Sequence, residues 1–329
     1  MPLKAERDSA LQAVTAACGL CRAVQAGSAS IRALTKDDKS PVTVADLGSQ
    51  AVICHTLMRT VPGDPIVAEE DSDMLRRNQL LRDEVFALAR THGDLPDAAT
   101  MCAAIDAGRT DPDFGARYWT LDPIDGTKGF LRGEQYAIAL ALIDAGRIVL
   151  GVLGCPNFPV DQVIPGASGG ALLHALRGSG AWITPLAGGE ARRITTDGCA
   201  AAQARFCESV ERAHAAHEEH ARIAALMGIT AEPYRIDSQA KYAAVACGLA
   251  SVYLRLPRTR EYREKIWDHA AGALIVAEAG GRVSDFHGAE LDLTVGRSLV
   301  HNEGILATNG ALHARALAAI RQVCGLPHD

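Results

Sequence analysis

At 329 residues, with 48% hydrophobic and 22% charged side chains, the chain has the balance of a globular protein, long enough for one large domain or two subdomains. Its net charge of −6 argues against a nucleic-acid or anionic-membrane binder, either of which needs a basic face. No apolar run of about 18 residues marks a membrane helix, and the opening MPLKAERDSALQAV lacks the basic-then-apolar layout of a secretory signal. Nine scattered cysteines, mostly in apolar surroundings, read as reduced thiols, so a cytoplasmic location is expected, with no obligate protein partner.

Residues 5–26 are predicted to form an amphipathic helix. Leu11, Val14, Cys18, Cys21 and Val24 recur there at helical spacing, so the Cys18–Cys21 CxxC reads as buried helix thiols; no second CxxC stands by to complete a zinc site. A second helix is expected over 47–60. IVAEE at 66–70, preceded by Pro-Gly-Asp-Pro, reads as a buried strand ending in carboxylates. Residues 74–92 are read as one helix followed by a polar, mobile loop. YWTLD is a strand, and YAIALALID and RIVLGVLGCP form a hairpin across Ala145-Gly146. ALLHALRGSGAWIT continues the β-rich region, and TPLAGGEARR at 184–193 is the expected boundary between subdomains spanning 1–190 and 191–329. Beyond it, helix is expected over 211–227, in the YRIDSQAKYAAVACG segment and from Asp268 to the Gly280-Gly281 pair. SVYLRLP and RVSDF read as strands. A β-rich half followed by an alternating half predicts an α+β or α/β fold of stacked helix and sheet layers.

Acidic residues stand at the ends of apolar elements in four places: Asp46 after PVTVA, Glu69 and Glu70 after IVA, Asp122 and Asp125 around WTLDPID, and Asp268 after KIW. Taken singly, each has an ordinary reading. Asp46 and Asp268 suit helix N-caps, Glu69-Glu70 a solvated strand end, and Asp-Pro and Asp-Gly a turn. Together, carboxylates emerging from buried elements repel one another unless cations lie between them. A hard, oxygen-preferring ion such as Mg²⁺ fits, and no comparable His/Cys set argues for zinc. Gly126 and Thr127 then open a turn or short helix whose free N–H groups attract phosphate. Metal-binding carboxylates beside phosphate donors predict a phosphoryl-transfer site.

DPIDGT at 122–127, with EE at 69–70 and WDHAAG at 267–272, resembles the lithium-sensitive, magnesium-dependent phosphatases related to inositol monophosphatase, and the likeness spans nearly the whole chain. SPVTVAD, DPIDGTKGFLRGEQYAIALALI, DSQAKY and YLRLP…YREKIWDHAAG are similar to the 3′(2′),5′-bisphosphate nucleotidase branch; simpler inositol monophosphatases usually carry DGTxNF where this chain has DGTKGF. One departure is Ala68, where glycine is common.

The resemblance implies a layered αβαβα sandwich of the inositol monophosphatase/fructose-1,6-bisphosphatase type. It implies hydrolysis of the 3′-phosphate of 3′-phosphoadenosine 5′-phosphate to AMP, with the sulfated nucleotide as a second substrate, using two or three Mg²⁺ ions and inhibited by Li⁺. By motif, Glu69, Asp122 and the Ile124 carbonyl would hold one ion, and Asp122, Asp125 and Asp268 a second. Asp46, hydrogen-bonded to Thr127, would position and activate water, with Glu70 and a third ion nearby. Gly126 and Thr127 N–H groups would bind phosphate, and Glu211, His214, Asp237, Ser238, Lys241 and Arg255 would shape the nucleotide pocket.

The nearest alternative is an inositol polyphosphate 1-phosphatase or a dual-specificity enzyme, which would share the metal ligands. A two-carboxylate glycosidase fits poorly with 5% aromatic residues. An inactive binding or regulatory homologue would have lost a ligand, and all five family acids, Asp46, Glu69, Asp122, Asp125 and Asp268, are present.

Overall fold

A computed structural model describes residues 3–28, 34–35, 41–210, 217–257, 259 and 262–326. Helix α1 is Lys4–Ala23, a two-stranded ribbon is formed by β1, Leu34–Thr35, and β2, Pro41–Val42, and α2 is Val44–Thr60. Strand β3, Ile66–Ala68, leads to α3, Asp73–Arg77, α4, Gln79–Ala89, and α5, Ala98–Asp106. Then come β4, Tyr118–Asp125, a five-residue α6, Thr127–Leu131, and the strands β5, Ala137–Asp144, and β6, Arg147–Cys155. Three further strands, β7, Ala171–Leu176, β8, Ala181–Pro185, and β9, Arg192–Ile194, complete a seven-stranded sheet in the order β3-β4-β5-β6-β7-β8-β9, antiparallel except for β3 with β4.

The remaining elements are β10, Phe206–Glu208, α7, His217–Met227, β11, Tyr234–Arg235, α8, Ala240–Ala246, and β12, Val252–Arg255. They continue with α9, Ala270–Glu278, β13, Arg282–Ser284, β14, Ile305–Thr308, and α10, His313–Cys324. A five-stranded sheet forms in the order β11-β10-β12-β14-β13.

Helices α1 and α2 cover one face of the large sheet, α8 and α9 lie between the two sheets, and α7 and α10 cover the far side of the small one. This is the expected αβαβα sandwich. Strand β5 shows how the sequence builds it. Ala137, Ala139, Ala141 and Ile143 face the middle layer, whereas Ile138, Leu140 and Leu142 face the α1–α2 layer, the period of two of a strand buried on both sides. The small side chains let α9 approach closely. At Gly151 of β6 even a methyl group would sit 2.8 Å from the Ala271 carbonyl. The β5–β6 hairpin turns as expected through Ala145 and Gly146, both at positive φ (50° and 73°), as a two-residue type I′ turn requires.

The structure departs from the sequence reading in the 74–92 segment, which is two helices rather than one. Asn78 is extended (φ −132°, ψ 100°) and its side chain accepts from Leu81 N at the start of α4. The polar segment after it holds α5, whose N-terminus is closed by Asp97 accepting from Thr100 N at 2.7 Å. Asp46 is not an N-cap. Thr43 is, and Asp46 sits three residues into a capping box. Asp268 lies in a 3₁₀ turn, Ile266–Asp268, and α9 begins two residues after it. Cys18 and Cys21 are buried on α1 as expected, and desolvation pushes the Cys18 thiol up to about 12.

Candidate active site

The acids converge because of a defect in β4. Asp122 pairs with Ala139 and Asp125 with Ala137, so three steps along β4 match two along β5. In a regular strand residues three apart point to opposite faces. The extra residue, in the Pro123-Ile124 stretch, resets the alternation so that both aspartates can turn the same way. Proline suits this place, because it has no N–H to offer the ladder. Ser49 Oγ of α2 donates to the Pro123 carbonyl at 3.0 Å and pins the bulge.

Asp122 is 2% exposed, and its Oδ1 accepts from Ile124 N at 3.0 Å. Burial pushes its carboxyl well above the ordinary range, and the charges of Glu69, Asp125, Asp268 and Asp46 push it further. Asp125 is raised as well, first by burial; Lys241, Arg255 and the N–H of Gln239 pull it back only in part. Asp268 is raised by burial, with Asp125 and Glu69 adding to it and Arg255 opposing. Acids from all three boxes therefore act on one another, Asp122 from within the fold and Glu69 from its surface. The unmet negative charge and oxygen-only donors fit hard divalent cations.

Glu69 is exposed and Glu70 buried just past β3. Gln50 of α2 clasps this strand end, its Nε2 donating to the Glu70 carbonyl at 2.7 Å and its Oε1 accepting from Glu70 N at 3.0 Å. From the other half of the chain Arg297 donates to the carbonyls of Ala68, Gly108 and Thr110, each at 3.1 Å.

Asp46 splits its two oxygens between tasks. Oδ2 accepts from Thr43 N at 2.8 Å and Thr43 Oγ1 at 2.6 Å, which fixes the carboxylate; Oδ1 faces Thr127 Oγ1 at 3.5 Å. The same threonine hydroxyl lies 3.3 Å from the Ile124 carbonyl. Gly126 precedes α6 at φ 89°, a left-handed conformation that favours glycine, and a methyl group there would press 3.0 Å against Ser238 Cβ. The N–H groups of the first helical turn have no carbonyl of their own helix to bond.

The pocket residues are less uniform. Lys241 is buried over the Tyr253 ring and donates to Ser209 Oγ at 3.2 Å; burial lowers its pKa, while Asp125 works to restore it. Ser238 is a non-glycine residue at φ 65°. Asp237 is spent on the protein itself: Oδ2 meets Arg132 Nη2 at 2.8 Å and Oδ1 accepts from Val210 N at 3.0 Å. Arg255 lies 2.8 Å from Glu264 and 3.6 Å from Asp268. Glu211 and His214 lie outside the described residues.

Glu264, Asp268 and His269 form a tight set of metal-capable side chains among the described residues. Glu264 already holds Arg255 and His269, which leaves Asp268 as the member facing the other acids. Sequence reasoning missed Gln50, Arg297, Glu264 and Gln239. Gln50 and Arg297 carry no motif signal, whereas Gln239 sits inside DSQAKY and Glu264 inside YREKIWDHAAG, where their neighbours drew the attention.

A model of the inositol monophosphatase family matches residues 4–324. The 3′(2′),5′-bisphosphate nucleotidase of Emericella nidulans is 42% identical over 320 aligned positions, covering 89% of this chain and 91% of that protein. The nucleotidase of the same name from Oryza sativa is 44% identical over 341 positions, covering 97% and 94%. Among solved structures, the Thermotoga maritima IMPase superposes with a TM-score of 0.66 at 22% identity, covering 97% of both chains, a likeness of fold.

Proposed function

The chain belongs to the inositol monophosphatase family, and from that premise we propose that it is a metal-dependent 3′(2′),5′-bisphosphate nucleotidase that hydrolyses 3′-phosphoadenosine 5′-phosphate to AMP and phosphate. The observation that carries the reading is the shared field of Asp122, Asp125, Asp268 and Glu69 beside the Thr127–Asp46 pair. The residues fit two or three Mg²⁺ ions, with Glu69, Asp122 and the Ile124 carbonyl about one, Asp122, Asp125 and Asp268 about another, and Glu70 near a third. When bound, such ions supply Lewis acidity and a lowered pKa for water.

The chain's own groups do the positioning. Asp46 Oδ1 accepts from Thr127 Oγ1, which leaves a lone pair of the hydroxyl to accept a hydrogen bond from the attacking water. That water is held in line with the scissile P–O3′ bond; its oxygen forms the new P–O bond and gives up a proton as the P–O3′ bond breaks. The electron pair of the broken bond leaves with the 3′ oxygen, which takes up one proton from solvent in its place. The Gly126 and Thr127 N–H groups stabilise charge on the phosphoryl oxygens. Lys241, Arg255 and Ser238 line the nucleotide side. Asp237 orders that wall through Arg132 and Val210.

Phosphate release from 3′-phosphoadenosine 5′-phosphate and from inositol 1,4-bisphosphate, each with and without Mg²⁺, tests the reading. Metal-dependent release from the nucleotide supports it, and preference for the inositol compound keeps the acids but overturns the pocket. Li⁺ is expected to inhibit at sub-millimolar to millimolar levels; full activity at tens of millimolar refutes that part.

A further inference from the structure

We infer that Gln239 is the positioning residue that sets Asp125 and Asp268 at a fixed separation, an inference that rests on reading those two aspartates as ligands of one ion. Gln239 is 1% exposed and makes three bonds to two motifs distant in sequence. Its main-chain N–H donates to Asp125 Oδ2 by a short bond. Its side-chain Nε2 donates to the Trp267 carbonyl at 2.8 Å, and Oε1 accepts from Gly272 N at 3.1 Å.

The two side-chain bonds straddle Asp268. Trp267 immediately precedes it in the 3₁₀ turn, and Gly272 lies in the first turn of α9. One amide thus bridges the turn that carries Asp268, while the backbone of the same residue grips Asp125. Two like charges placed near one another would drift apart if each were held only by its own element. A single residue that bonds Asp125 and braces the turn carrying Asp268 removes that freedom before any cation arrives. An amide is the side chain the place demands, because it must donate to a carbonyl at one end and accept from an N–H at the other. The backbone conformation supports the grip. Ser238 at φ 65° turns the chain so that the next N–H points at Asp125, and the side chain begins from the start of α8.

The test is Mg²⁺ binding by calorimetry on the purified full chain without substrate, for the parent, Gln239→Met and Gln239→Asn. Thermal unfolding in chelator is read alongside. Methionine keeps the volume without either bond; asparagine keeps the amide but is one methylene too short to reach both partners. Both variants are expected to bind the ion assigned to Asp122, Asp125 and Asp268 about 10–100-fold more weakly, as for other residues that orient metal ligands. The shift should exceed anything their unfolding midpoints in chelator explain. Isotherms overlaying the parent's in either folded variant overturn the inference, as does failure of both variants to fold, which would make Gln239 a stability residue. These isotherms involve no nucleotide, so a parent that binds Mg²⁺ but releases no phosphate from 3′-phosphoadenosine 5′-phosphate would overturn the substrate reading alone.

Discussion

Asp122 and Glu264 are both buried carboxylates, and the structure treats them in opposite ways. Glu264 is 5% exposed; burial works to raise its carboxyl, but the bond from His269 and the Arg255 guanidinium outweigh it and hold it at about 2. Asp122, equally buried, faces Glu69, Asp125, Asp268 and Asp46, and its carboxyl is pushed up. Burial alone therefore does not decide the state of an acid. One region supplies its own cation and is finished as folded, whereas the other is arranged to receive cations from solution. Asp268 stands at the seam, touched by Arg255 on one side and repelled by Asp125 on the other.

The contrast breaks most sharply at the acids themselves. Asp125→Asn or Asp268→Asn is expected to lower turnover by about a hundredfold or more at saturating Mg²⁺, since even residues that only orient ligands cost 10–100-fold. Unchanged turnover would remove both from the ion site. Opposite signs of stability come next. In chelator, Asp122→Asn relieves repulsion and should raise the unfolding midpoint by about 2 °C or more, while Glu264→Gln should cost about 1.5–3 kcal/mol and lower it. Equal signs would refute the distinction between the two regions.

The pH dependence follows from the same directions. Asp122, Asp125 and Asp268 are raised, so what they add to metal-free stability is complete below the ordinary aspartate value near ~3.9 and is lost as pH climbs through their folded values. Glu264 is lowered, so its contribution is present above the ordinary glutamate value and fades only as pH falls toward about 2. Metal-free unfolding midpoints should thus fall as pH rises above the mid-fours, and Mg²⁺ should flatten that slope. A slope unaffected by Mg²⁺ would place the titrating groups elsewhere. The smallest effect is expected at Arg297→Lys, which keeps the charge but loses the fork that grips three carbonyls behind Glu69. A few-fold higher Mg²⁺ requirement with little change in stability is expected, measured as turnover against metal concentration.

Much of the site was legible because its acids interrupt apolar runs at element ends, and a charge in such a place has few reasons to be there. The layers were legible because period two along β5 and helical spacing along α1 are written locally. Asn78 escaped notice because a single extended residue inside a helical pattern costs little and leaves the period nearly intact. Strand β14, which lies between β12 and β13 in the small sheet, and α10 after it lie in a tail where no motif drew the eye.

The chain by itself determined the acid inventory, the order of the three boxes, the hairpin at Ala145-Gly146 and the alternation of faces, since each depends on neighbours within a few residues. Only the tertiary structure decided that a bulge turns Asp122 and Asp125 together, that Arg255 neutralises Glu264, and that Gln239 holds Asp125 and Asp268 in register. Those outcomes depend on the distance and dielectric between groups far apart in sequence, and these exist only once the layers have closed around them.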